Sequence, residues 1–217
     1  MSDIFPLFAA RMPLILASSS PRRRELIASL GVAFLAQSAP DHVEPAPEAG
    51  ESPERHTLRA AIAKTRHVRD HSGIAGAAVL GADTAVALEG TMMGKPRDGA
   101  EALAYLLRLA GHTHTVVTSC CLCLPDGAEE VFSVAAQVTM RAWPEPVLAA
   151  YAGCCEPLDK AGGYAIQGKG SFLIEAIQGS WSAVVGLPMT ETVAMLLRCG
   201  VIMSWAAKGE KGHALAG

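Results

Sequence analysis

Apolar positions repeat with two periods along the chain, and the changes between them outline its elements. Residues 14–17 form an unbroken apolar run, the pattern of a short buried strand. Ser20 then offers an N-cap, and Pro21 a first helical position that needs no N–H. Leu26, Ile27 and Leu30 follow at helical spacing, and Gly31 ends the segment. Residues 40–53 are rich in Pro, Glu and Gly and predict a loop. Ser52-Pro53-Glu54 opens a second helix with Leu58, Ala61, Ile62 and Thr65 inward. Residues 77–88 predict a strand, Glu89-Gly90 a turn and residues 92–95 a return. Asp98 with Glu101 forms a capping box for a helix carrying Leu103, Leu106 and Leu107, closed by Gly111. Residues 113–124 and 130–142 predict two long strands joined at Pro125-Asp126-Gly127, a hairpin signal. Residues 144–151 predict a short helix. Strands predicted at 172–177 and 181–185 flank Gln178-Gly179-Ser180. Pro188 opens the last helix, with Met189, Val193, Leu196 and Leu197 inward, and the polar tail from Lys208 is expected to fray. Helices alternating with hairpins predict an α/β fold with a mixed rather than strictly parallel sheet.

Composition narrows the class. The 217 residues suit one large domain or two small ones, and half of them are apolar, enough for a substantial core. A net charge of −3 argues against a nucleic-acid polymer as partner. No apolar run reaches membrane-span length. The first twelve residues include Asp3 and lack a basic start followed by a long apolar stretch, so they do not read as a signal peptide. The six cysteines form no CxxC pair, and Cys120, Cys121 and Cys123 lie in an apolar run; reduced thiols in a cytoplasmic protein are expected.

The charged residues carry the chemistry. Arg22, Arg23 and Arg24 crowd the start of a helix, where the macrodipole disfavours cations by about 0.3–1 kcal/mol each. A bound anion resolves that conflict, since free N–H groups, serine hydroxyls and guanidinium forks together suit a phosphate chain. Three consecutive residues cannot share one helical face. Arg22 and Arg23 are therefore the phosphate candidates, beside Ser18, and Arg24 is peripheral. Asp83 interrupts an apolar strand. It is either a hydrogen-bonded structural carboxylate or one facing a cleft, as metal ligand or base. Lys95, after a turn and before a helix, can set an ammonium over a phosphate, whereas Lys64 alone reads as solvent-facing. Glu44, with Asp41 nearby, offers a loop carboxylate. Gly163-x4-Gly168-Lys169 resembles a P-loop, but Gly170 stands where the magnesium-binding hydroxyl belongs, and strand rather than helix is expected beyond it. Gln167 carries an amide that can read a base edge. There is no HExxH and no GxSxG elbow.

Six short motifs occur in order: Leu16-Ala17-Ser18-Ser19-Ser20-Pro21-Arg22-Arg23, Gly81-Ala82-Asp83-Thr84, Gly94-Lys95-Pro96, Asp159-Lys160-Ala161-Gly162, Tyr164-Ala165-Ile166-Gln167-Gly168 and Val185-Gly186-Leu187-Pro188. Together they resemble the Maf family of nucleotide pyrophosphatases, from about Leu14 to Leu197. The resemblance implies a single Maf-like domain over residues 14–199, between an extension at 1–13 and a tail at 200–217, with a mixed sheet flanked by helices and an active-site cleft. It implies hydrolysis of a nucleoside triphosphate between the α- and β-phosphates, a divalent cation (Mg2+ or Mn2+) and a cytoplasmic setting. Family likeness alone suggests a homodimer. On this resemblance Asp83 is the base and a metal ligand with Glu44, Lys64 and Lys95 join it as catalytic residues, and Ser18, Arg22 and Arg23 bind phosphate. Arg22, Thr84 and Gln167 match the branch acting on dTTP and UTP; the 7-methyl-GTP branch would show an aromatic, Gln and Glu. The segment Asp41-His42-Val43-Glu44 departs from the family's usual acidic pair. The alternatives are a pyrophosphatase for another modified nucleotide and a non-enzymatic nucleotide-binding regulator of cell division.

Overall fold

The computed structural model describes residues 7–154 and 156–205. The tail from Lys208 and Cys155 lie outside the described residues. The main sheet has strands β2 (Leu14–Ala17), β3 (Leu35–Ala36), β4 (Ala78–Leu88), β5 (Thr91–Met93), β6 (Thr113–Cys123), β7 (Glu129–Met140) and β8 (Ile174–Gln178). Its order is β3-β2-β4-β6-β7-β8, with β5 also on β4. Strand β2 runs parallel to β3 and β4, and every other pairing is antiparallel, so the sheet is mixed as expected. A separate ribbon pairs β1 (Phe8–Ala10) with β9 (Ile202–Ser204). The segments flanking the predicted domain therefore meet each other. No helix among the described residues is long and apolar enough to cross a membrane.

The first half of β4 is covered on both faces, which is why its sequence is a continuous apolar run. Leu14, Leu16, Leu80 and Ala82 pack against Ile27 and Leu30, around helix α1 (Pro21–Ala28), and Met195 and Leu196 of α6 (Met189–Arg198). Ile15, Ala17 and Val79 turn the other way, onto Val68 of α2 (Pro53–His71). The second half of β4 enters another core, where Val86 and Leu88 meet Leu106 and Leu109 of α3 (Gly99–Leu109) and Leu148 of α4 (Glu145–Ala152). Gly81 lets α2 approach the sheet closely: a Cβ there would lie 2.1 Å from Thr65 Oγ1.

Several expectations need correction. Residues 181–185 form a helix, α5 (Trp181–Val185), instead of a strand. Ser180 caps it by accepting a hydrogen bond from Ala183 N, and this outweighs the strand preference of Val184 and Val185. Strand β8 begins at Ile174, after a 3-10 segment over Gly168–Leu173 that includes Phe172. Ser20 precedes α1 but makes no capping bond with its side chain. Glu101 closes back on Arg97 N, one residue before the expected partner, while Asp98 caps as expected. The inward faces also differ. Leu107 and Leu197 are exposed, and Leu109 and Met195 fill the interior. On α2 the buried face is His56, Thr57, Ala60, Ala61, Thr65 and Val68, with Leu58 and Ile62 only half-buried. Small and polar side chains permit the close approach at Gly81, which bulky ones would prevent.

Candidate active site

The cleft arises from a break in strand pairing. On one edge of β4, pairing with β2 ends at Gly81 and pairing with β5 begins at Val86. Residues 82–85 have a strand partner only on the β6 side. Asp83 and Thr84 occupy that open stretch, and the cleft beside it holds about 290 Å3.

Alternation along β4 sends the two side chains to opposite faces. Asp83 turns toward α2. Its Oδ1 accepts a hydrogen bond from Lys64 Nζ at 2.6 Å, and the same ammonium lies 2.6 Å from Glu44 Oε2. Lys64 is thus not the solvent-facing residue its helix alone suggested. Burial by itself would raise the Glu44 carboxyl. Its hydrogen bond and charge interaction with Lys64, with Lys95 and His56 nearby, outweigh that and hold it below the ordinary carboxylate value. His56, two turns before Lys64, stands at the same cluster: one of its ring nitrogens, a Glu44 oxygen and an Asp83 oxygen lie within 4.8 Å of one another. These three donors could hold a metal ion, and one nitrogen with two carboxylates fits a divalent cation. Sequence reasoning named Glu44 and Asp83 and missed His56. Its placement at positions 56, 60 and 64 along one stripe of α2 was the available signal.

Thr84 turns to the other face and is fully engaged. Arg23 Nη2 donates to Thr84 Oγ1 at 3.0 Å, and Arg23 Nε donates to Gly186 O at 2.6 Å. Thr84 Oγ1 lies 2.8 Å from Thr118 Oγ1, which donates to Ala183 O at 2.7 Å. Since Thr118 spends its proton on Ala183, Thr84 donates to Thr118, and the chain runs in one direction from guanidinium to carbonyl. Gly186 sits at φ +121°, which turns its carbonyl where Arg23 meets it. Burial lowers the Arg23 pKa, against the opposing pull of Asp83.

The remaining expected residues fall in three groups. Ser18, Arg22 and Lys95 line the cleft, and Arg22 and Lys95 make no hydrogen bond or ion pair among the described residues. The N–H groups of Arg22 and Arg23 have no partner among the described residues at the start of α1, and Ser18 Oγ accepts from Ser20 N. Asp41 also lines the cleft. Arg24 is exposed, reaching Ser18 O at 3.5 Å, outside the cleft as expected. Gln167 follows the lining residue Ile166 but is not itself part of the lining. Deeper on the Thr84 face, His114 Nε2 meets Tyr164 Oη at 2.6 Å. Burial pushes His114 down to about 4, so the ring is neutral at pH 7, and it raises the Tyr164 hydroxyl. Burial also pushes Cys120 and Cys121 up to about 12, so both are protonated thiols without nucleophilic character.

The sequence model of the Maf-like proteins matches residues 13–199. A dTTP/UTP pyrophosphatase of Nitratidesulfovibrio vulgaris is 50% identical over 196 residues, covering 90% of this chain and 91% of that protein. One of Oleidesulfovibrio alaskensis is 48% identical over 212 residues, 95% of each chain. One of Myxococcus xanthus is 48% identical over 194 residues, covering 89% of this chain and 96% of that protein. With the family pattern running through both cores and every wall of the cleft, the chain belongs to the Maf family.

Proposed function

We propose that the protein is a cytoplasmic nucleoside triphosphate pyrophosphatase that hydrolyses dTTP and UTP to the monophosphate and pyrophosphate. The relatives carrying that name align over nearly the whole chain. The observation that carries the reading is the open stretch of β4. There Asp83 is held by Lys64 at the edge of a cleft that also holds Arg22 and Lys95, two cations with no hydrogen bond or ion pair among the described residues. A cleft with uncommitted cations and free helix-start amides is built for a polyanion.

In this reading Ser18, Arg22, Arg23 and the amides of α1 bind phosphate, and Lys64 and Lys95 neutralise charge on the departing group. Arg23 already uses two of its donors on Gly186 and Thr84, so it contributes through those that remain. Asp83 orients the attacking water and takes its proton. The water oxygen bonds to the α-phosphorus, the bond to the bridging oxygen breaks, and pyrophosphate leaves with that oxygen. A divalent cation would be held by Asp83 and Glu44, where it supplies charge neutralisation and alignment at the phosphate oxygens. Arg22, Thr84 and Gln167 set the preference for a pyrimidine base.

The test is pyrophosphate release by the purified protein from dTTP, UTP, CTP and 7-methyl-GTP, with Mg2+ and with Mn2+. Rates on dTTP and UTP should exceed the other two by at least about tenfold, a ratio one pocket can deliver, and Gln167→Glu should narrow it. Release of orthophosphate instead of pyrophosphate, or faster turnover of 7-methyl-GTP, overturns the reading.

A further inference from the structure

Resting on the reading of a metal-bearing pyrophosphatase site, we propose that His56 is a nitrogen ligand of that metal, so that the site favours a divalent transition metal over Mg2+. Three observations carry this. First, one imidazole nitrogen of His56 stands within 4.8 Å of the carboxylate oxygens of Glu44 and Asp83, which approach one another as closely. Two bonds of about 2.0–2.2 Å to a central ion span at most about 4.4 Å, so the three donors would draw together around it.

Second, the His56 ring is buried and makes no hydrogen bond among the described residues. The residue is 8% exposed, and its Nδ1 is buried without a hydrogen-bond partner. Nδ1 faces Glu51, so Nε2 is the ring nitrogen left to bind a metal. Glu44 and Asp83 line the cleft, from which a metal ion can enter, and His56 is not part of that lining.

Third, a fixed carboxylate stands beside the ring. Glu51 Oε2 lies 3.4 Å from His56 Nδ1, and the Glu51 side chain is 1% exposed. Arg59 holds that carboxylate through two donors, Nε to Oε1 at 2.6 Å and Nη2 to Oε2 at 2.8 Å. A buried carboxylate beside a metal-binding imidazole orients the ring and strengthens it as a donor.

The consequence is selectivity. Mg2+ favours an all-oxygen octahedron and gives up water reluctantly, whereas Co2+, Ni2+ and Zn2+ accept imidazole readily. Glu44 and Asp83 alone would make a hard oxygen site, and the nitrogen of His56 shifts it.

Pulsed electron paramagnetic resonance of the nucleotide-free protein loaded with Mn2+ tests ligation directly. Nitrogen modulation of the bound ion is expected, and it should change to the 15N pattern when the protein is grown on 15N-histidine. It should vanish in His56→Gln and persist in His42→Ala. Failure to bind Mn2+, absence of nitrogen coupling, or coupling that survives His56→Gln overturns the proposal. The isotope arm uses wild-type protein, so it decides the matter even if a variant fails to fold. Calorimetric titration tests selectivity: His56→Gln should weaken Co2+ by at least about tenfold and Mg2+ by less than about threefold, and equal weakening overturns it. Pyrophosphate release from dTTP by the same wild-type sample separates the two readings. Release without nitrogen coupling removes His56 and leaves the activity; coupling without release supports the ligand and removes the activity.

Discussion

Asp83 and Thr84 are neighbours in the chain, yet their surroundings differ in kind. On the Asp83 face an ammonium is shared between two carboxylates, and two further cations line the adjoining cleft with no hydrogen bond or ion pair among the described residues. On the Thr84 face the donors of Arg23, Thr84 and Thr118 run in sequence to the Ala183 carbonyl, and His114 Nε2 meets Tyr164 Oη, although His114 Nδ1 is buried with no hydrogen-bond partner among the described residues. The first face can rearrange around an incoming anion, because its charges are balanced by groups that a phosphate or metal can replace. The second face cannot, because moving any member breaks a buried hydrogen bond. One turn of strand pleat thus separates a reactive wall from a rigid one.

The sharpest way to break this contrast is Asp83→Asn. Turnover of dTTP should fall by at least about a thousandfold, equivalent to about 4 kcal/mol in the barrier, while circular dichroism and cooperative melting persist. Near-normal turnover would remove Asp83 from the mechanism and the reactive character from its face.

Acid should find the rigid wall next. His114 titrates near 6.5 when unfolded and is held at about 4 in the fold. The unfolded chain therefore takes up a proton that the folded chain refuses. The stabilising effect is complete above about pH 6.5 and is lost as pH falls toward 4, by roughly 3 kcal/mol in total. Urea unfolding of the wild type and of His114→Phe between pH 7 and pH 4.5 checks it, since other carboxylates titrate equally in both. Parallel stability curves would mean that His114 does not titrate as its burial requires.

Thr118→Val should have the smallest effect on catalysis. It leaves the Thr84 hydroxyl and the Ala183 carbonyl without their partner, at a cost of about 1–3 kcal/mol in stability. Turnover should drop by less than tenfold, because Thr118 lies behind the residues that meet substrate. A loss of turnover as deep as that of Asp83→Asn would show that the two faces are not separable.

The sequence by itself missed the short strands β1, β3 and β9, but it determined the order of the longer helices and strands, the mixed sheet and the identity of most charged residues in the cleft. These are written in local signals: apolar period, caps at Ser52 and Asp98, and short motifs that each need only a few adjacent residues. It misjudged residues 181–185, where a Ser180 cap overrode β-branched side chains, and on α2 it placed Ala61 and Thr65 inward correctly but also Leu58 and Ile62, which are only half-buried. Only the tertiary structure decided that β4 stands unpaired on one edge between Gly81 and Val86, that Lys64 reaches both Asp83 and Glu44, and that Arg23 is tied to Thr84 and Gly186. It also brought His56 to the acids. Each of these joins residues separated by up to 163 positions in the chain, and no local pattern encodes which distant strand ends first or which helix face meets it. Packing of α2 against Gly81 settled that, because only a helix drawn this close to the sheet sets His56 and Lys64 beside a carboxylate rising from the strand.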